Sequence, residues 1–93
     1  MFKGVLIGIR EKIRNRQYIV TQHARKEMND DELTTLDVEH GILTGKIIER
    51  QRDFEMFESK YRVLGESLDG VPIEAVVKIS PTGKVVIVTV YRI

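Results

Sequence analysis

Residues 60–93, KYRVLGESLDGVPIEAVVKISPTGKVVIVTVYRI, decide the fold. Apolar and polar residues alternate from Lys60 to Leu68, Asp69-Gly70 is a hairpin turn signal, and alternation resumes from Val71 to Ser80. Pro81-Thr82-Gly83 is a second turn, and Lys84 to Ile93 reads as the last strand. Three strands joined by two tight turns make an antiparallel meander. With a two-residue first turn and a three-residue second one, Arg62, Leu64, Glu66 and Leu68 share a face with Val71, Ile73, Ala75, Val77 and Ile79. Val85, Ile87, Thr89 and Tyr91 complete that face. Its apolar part is expected to receive the helices, and its polar members Arg62, Glu66, Thr89 and Tyr91 collect toward one side. Val86, Val88 and Val90 make the last strand apolar on its other face as well, which places it centrally in the sheet.

Upstream, Ile47 to Arg50 is a short strand, and Asp53 to Ser59 is a loop or a strand extension. Phe2, Val5, Leu6, Ile9 and Ile13 recur at helical spacing with cations between them, predicting a core-packing amphipathic helix over about 2–15. Tyr18-Ile19-Val20 favours an extended segment, after which Thr21 caps a helix running through Met28 with Ala24 and Met28 inward. Asp30 to Glu32 reads as a solvated polar turn. Leu33 to Val38 carries a helix-start signature with Thr34 as N-cap and Asp37 three positions on, and Gly45 suits a left-handed C-cap. The expected architecture is α+β: three N-terminal helices packed on a four-stranded antiparallel sheet.

The 93 residues amount to one domain, near the lower limit for a core without a staple. The absence of cysteine excludes disulfides and thiolate metal sites and is compatible with a reducing cytoplasm, the expected location. The apolar opening is broken by Lys3 and Arg10 with no cleavage site behind it, and no run approaches a membrane span. Fifteen Lys and Arg against fourteen Asp and Glu give a net charge of +1, so net charge does not point to nucleic acid. Seven of those cations fall within the first 26 residues against one acid, Glu11. A solvated helix face accounts for that cluster; an acidic or phosphate-bearing partner is the other reading.

There is no Gly-rich phosphate loop, nucleophile elbow or histidine pair at metal-ligand spacing, so neither a metal nor another cofactor is expected. His23 is the best candidate for acid–base work near neutral pH, since Lys26 and Glu27 share its helix side; His40 reads as satisfied or solvent-facing. One imidazole among Arg, Lys, Glu and Tyr side chains can cleave RNA without a metal. A structural histidine near a helix start is the competing reading.

The pattern Tyr-Ile-x-Thr-x-His-Ala-x-x-x-Met from Tyr18, then Leu-Thr-x-x-Asp-Val-Glu-His-Gly-Ile-Leu-x-Gly-Lys-Ile-Ile-Glu, Lys-Tyr-Arg-Val-Leu-Gly and Val-Val-Ile-Val-Thr-Val-Tyr resembles a family of small bacterial domains of unknown function. That family looks related to RelE-like and barnase, EndoU and colicin-type RNase toxins. The resemblance implies a fold of N-terminal helices on a four-stranded antiparallel sheet and a toxin–antitoxin role. It points to His23, Glu49, Arg62, Thr89 and Tyr91. Where the family tends to have Arg before Met, this chain has Glu27, and the arginine usual a few residues later falls in the acidic Asp30–Glu32 stretch. Arg25 or Lys26 are the cations at hand to substitute.

The expected function is therefore a metal-independent endoribonuclease. In it His23 is general base or acid, Arg62 and Lys26 bind phosphate, Tyr91 and Glu49 orient the histidine or the substrate, and Arg25 and Thr89 contact substrate. RNA, mRNA included, and an antitoxin protein are the expected partners, with no membrane. The alternative is a non-catalytic protein- or RNA-interaction module on the same fold.

Overall fold

The computed structural model describes residues 2–93. Its elements run α1 (Lys3–Arg14), β1 (Tyr18–Val20), α2 (Gln22–Asp30), α3 (Thr35–Thr44), β2 (Lys46–Asp53), β3 (Glu58–Glu66), β4 (Pro72–Ile79) and β5 (Val85–Arg92). The α+β class and the three helices are as the sequence predicts. The four-stranded antiparallel sheet is not: the sheet has five strands in the order β1-β5-β4-β3-β2 and is mixed. The fifth strand is Tyr18–Val20, which pairs parallel with Val85–Ile87. Hydrogen bonds from Thr21 N to Ile87 O and from Val85 N to Gln17 O, both 3.1 Å, extend this short ladder. A three-residue segment of one aromatic and two β-branched residues next to an unpaired edge satisfies its backbone groups by joining the sheet rather than crossing the surface as a connector. β5 is consequently an interior strand, and the middle place belongs to β4.

Register departs from expectation twice. In the first hairpin Ser67 N bonds to Val71 O and Glu66 pairs with Pro72, so the turn holds Leu68, Asp69 and left-handed Gly70 (φ 82°). That is one residue more than an Asp-Gly turn, and a one-residue slip turns every side chain of β3 over relative to β4. In the second hairpin Ile79 pairs with Val85 as expected, but Val77 opposes Ile87 while Val76 opposes Thr89. The extra residue, Val88, is a bulge that turns the end of β5 over as well. The two shifts compensate. Arg62, Thr89 and Tyr91 do share a face, but it is the one opposite Ile73, Ala75 and Val77, and it also carries Glu74.

The core lies on the other face. Tyr61, Val63, Ile73, Ala75, Val77, Val85, Ile87 and Val90 meet Ile9 and Ile13 of α1, Ala24 and Met28 of α2, and Val38 and Ile42 of α3. Arg10 crosses from α1 to donate a 2.7 Å hydrogen bond to Gly45 O, placing a cation at the negative end of α3. Thr34 and Asp37 form a reciprocal capping box at the start of α3. Gly45 is extended (φ −87°, ψ −172°) rather than left-handed. Its small size matters instead, because a Cβ there would lie 2.5 Å from Gly41 O and Leu64 O.

Candidate functional site

The face of the sheet without helices carries a polar cluster in its middle. Arg62 on β3 grips Glu74 on β4 with two bonds, Nε to Oε2 at 2.9 Å and Nη2 to Oε1 at 2.8 Å. Its Nη1 donates to Glu49 Oε1 on β2 at 3.1 Å, and the Tyr91 hydroxyl on β5 donates to Glu74 Oε2. Four adjacent strands thus contribute one side chain each or a contact to one. Glu74 is only 3% exposed although no helix covers it. A carboxylate that dry must be paired, and Arg62 and Tyr91 supply the pairing.

Charge in the cluster is fixed by these contacts. The Arg62 guanidinium, and after it the Tyr91 hydroxyl, hold the Glu74 carboxyl below its usual range against the opposing effect of burial. The hydrogen bond to Glu74 holds the Tyr91 phenol protonated above its usual range. Hydrogen bonds to Glu74 and then Glu49 reinforce the Arg62 cation. A guanidinium has five N–H donors, and three of those of Arg62 are engaged, leaving two for an incoming oxyanion. Among the described residues no three His, Asp or Glu side chains gather as a metal site requires, and Glu49 and Glu74 converge on the Arg62 cation.

His23 lies on α2, beside the outer edge of β5. It stands in the first turn of α2, behind the Thr21 cap whose Oγ1 accepts from Ala24 N, with its side chain 69% exposed. Its Nε2 pairs with Glu27 Oε1 at 3.3 Å, and Glu27 Oε1 in turn accepts the backbone N–H of Val90 at 3.2 Å. His23 is therefore tethered to the strand segment that presents Thr89 and Tyr91, not bonded to either side chain. Glu49 is three strands further across the sheet, about 14 Å at the usual strand spacing, so His23 and Glu49 do not converge on one phosphate. Thr89 lies opposite Val76 on the open face. Arg25 and Lys26 are exposed on α2, and Lys26 follows His23 by three positions on the same helix side.

The structure thus gathers Arg62, Glu49 and Tyr91, ties His23 to β5 through Glu27, and leaves Arg25 and Lys26 on the helix surface. Glu74 is the member that sequence reasoning missed. Its signal was a lone carboxylate inside the apolar run Val71 to Ile79, but the expected register put it on the face opposite Arg62.

No curated protein and no solved structure is a significant match to the chain. A family model does match, over residues 20–92, which takes in the whole sheet beyond the first residues of β1, both helices α2 and α3 and every member of the polar cluster. The chain belongs to the family described as a domain of unknown function, DUF4258.

Proposed function

We propose that the uncovered sheet face binds RNA and cleaves it without a metal, as an endoribonuclease of toxin–antitoxin type. The observation that carries this reading is the state of Arg62: oriented by Glu74, Glu49 and Tyr91, one-third exposed, and with two donors to spare. A rigid, partly satisfied guanidinium on an open surface is suited to the non-bridging oxygens of a phosphodiester. The resemblance to RelE-like and barnase, EndoU and colicin-type RNase toxins supports the same chemistry.

In the reaction a base removes the 2′-OH proton, the 2′-oxygen bonds to phosphorus, the bond to the 5′-oxygen breaks, and an acid protonates that leaving oxygen. Arg62, with Lys26 further out, stabilises the phosphoryl charge, and His23 serves as base or acid at the β5 margin. Glu49 and Tyr91 act by fixing Arg62 and Glu74. Incubating the protein with total RNA in EDTA, beside His23→Ala and Tyr91→Phe, tests this. Cleavage reduced about 10²-fold or more by His23→Ala is expected; cleavage equal in all three proteins, or none in the wild type, sinks it.

A second reading, a non-catalytic interaction module, is favoured by a different observation: Glu49 and Glu74 together outweigh the charge of Arg62, and His23 faces an acid, Glu27. That reading predicts binding of RNA or protein without cleavage. Expression of the chain alone then causes no growth arrest, whereas a toxin arrests growth and His23→Ala relieves it.

A further inference from the structure

The two edges of the sheet are finished in opposite ways. Beyond the short strand β1, the free edge of β5 is closed by side chains of α2 and its flanks: Thr21 Oγ1 donates to Val88 O at 3.1 Å, Val90 N donates to Glu27 at 3.2 Å, and Arg92 N donates to Asp31 Oδ2 at 2.9 Å. Among the described residues the β2 edge has no such cover. Seven of its eight residues are exposed, and an uncovered edge strand is a ready template for another strand.

The hairpin that ends this edge is apolar and projects into solvent, with Phe54 76%, Met56 63% and Phe57 94% exposed. Phe57 also holds a left-handed backbone (φ 52°), a conformation that costs a bulky residue free energy and that glycine would adopt freely. Among the described residues nothing packs over these rings, so they are built to be covered by something else.

Charge decides what covers them. On β2 the residues Glu49, Gln51 and Asp53 share the uncovered face with Arg62, while Arg50 and Arg52 share the helix-bearing face with Tyr61. A second copy is disfavoured by this pattern. Two β2 strands related by a twofold axis through Gln51 would set Glu49 against Asp53 and Arg50 against Arg52, and shifting the axis to Arg50 or Arg52 sets that arginine against itself. RNA is disfavoured as well. Asp53 and Glu58 line the hollow beside Phe54 and Phe57 against one cation, Arg52, and Glu55 adds a third acid in the hairpin, so a phosphate chain would meet net negative charge.

We propose that the outer edge of β2 takes up an extended segment of a partner protein as a sixth strand. That segment is basic on the uncovered face and acidic on the helix-bearing face, with an apolar end resting on Phe54 and Phe57. This inference is independent of the cleavage reading.

The probe is a synthetic peptide, Lys-Glu-Lys-Glu-Lys-Glu-Leu-Leu, followed by fluorescence anisotropy and by amide hydrogen exchange of the intact protein. Saturable binding with slowed exchange confined to β2 and the hairpin is expected. Arg50→Glu/Arg52→Glu should weaken it at least about tenfold, as should Phe54→Ser/Phe57→Ser, and an all-lysine peptide carrying the same two leucines should recover the charge-reversed variant. All four changes fall on exposed side chains, so circular dichroism should show an unchanged fold. No binding at about 1 mM peptide, binding indifferent to the charge reversal, protection elsewhere in the sheet, or equal protection of β2 by oligouridine each overturns the proposal.

Discussion

The carboxylate of Glu27 accepts the backbone N–H of Val90 at 3.2 Å, so a helix side chain occupies the place of a neighbouring strand. Asp31 does the same for Arg92 N at 2.9 Å. The match is geometric: four residues of helix rise about 6 Å, two residues of strand about 6.7 Å, so Glu27 and Asp31 keep step with Val90 and Arg92. Glu27 and Asp31 thus have a structural task here. Asp31 is not part of a solvated linker.

Glu27→Arg should therefore destabilise the protein, by about 1–2 kcal/mol, because it leaves the Val90 N–H without its acceptor and introduces a group with none to offer. Glu27→Gln keeps an acceptor and should cost less. Urea denaturation followed by circular dichroism measures both. Wild-type stability in Glu27→Arg would mean that the contact contributes nothing.

The Arg62–Glu74 pair gives stability an acid-side dependence whose sign follows from the contacts. Glu74 is held below its ordinary value of 4.5, so the contribution is whole above that pH, declines as pH falls, and is gone below the depressed native value. Glu74→Gln should flatten the slope of stability between pH 5 and the acid transition. Arg62→Ala should lower the melting temperature more than the double variant Arg62→Met/Glu74→Leu, since only the single change strands a buried carboxylate. If the double variant melts below Arg62→Ala, the burial argument is wrong.

Most elements were legible in the sequence because their signals are local: the Thr21 and Thr34 caps, the apolar stripe of the first helix, and the Pro81-Thr82-Gly83 turn. What escaped was non-local or a matter of one residue. Nothing in Tyr18-Ile19-Val20 indicates that its partner is Val85–Ile87, and a free strand next to a free edge is recognised only once both are placed. The extra residue in the Leu68–Gly70 turn and the bulge at Val88 are each invisible in an alternating pattern, yet each turns a strand over. Grouping Arg62 with Thr89 and Tyr91 survived because the two shifts cancel; assigning the group to the helix-bearing face did not. Glu74 was lost to the same slip.

Alkaline stability should depend on Tyr18. Burial, then the hydrogen bond to Glu39, push its phenol up to about 12. A raised native value means that the contribution is whole below 10.0, declines as pH rises from there, and is gone above about 12. Tyr18→Phe should remove that component, narrowing the gap to wild type as pH rises through the window. Parallel stability curves for the two proteins between pH 9 and 12 would contradict it.

The seam between α3 and β3 should be the least tolerant place in the chain. A Cβ on Gly65 would lie 1.9 Å from Gly41 O, and one on Gly41 would lie 2.6 Å from Ile73 Cδ1. The first obstacle is backbone, which must move as a whole, whereas the second is the end of a flexible side chain. Gly65→Ala should therefore cost about 3 kcal/mol or more, at or above the upper end for overpacking, and Gly41→Ala less. Gly8→Ala is the control: nothing lies within 4 Å of the place its methyl group would take on α1, and replacing a helical glycine by alanine gains about 0.5–1 kcal/mol. Urea midpoints for the three variants should fall in the order Gly8→Ala, Gly41→Ala, Gly65→Ala from highest to lowest. A Gly65→Ala protein as stable as Gly41→Ala would show that α3 can lift from β3 without penalty.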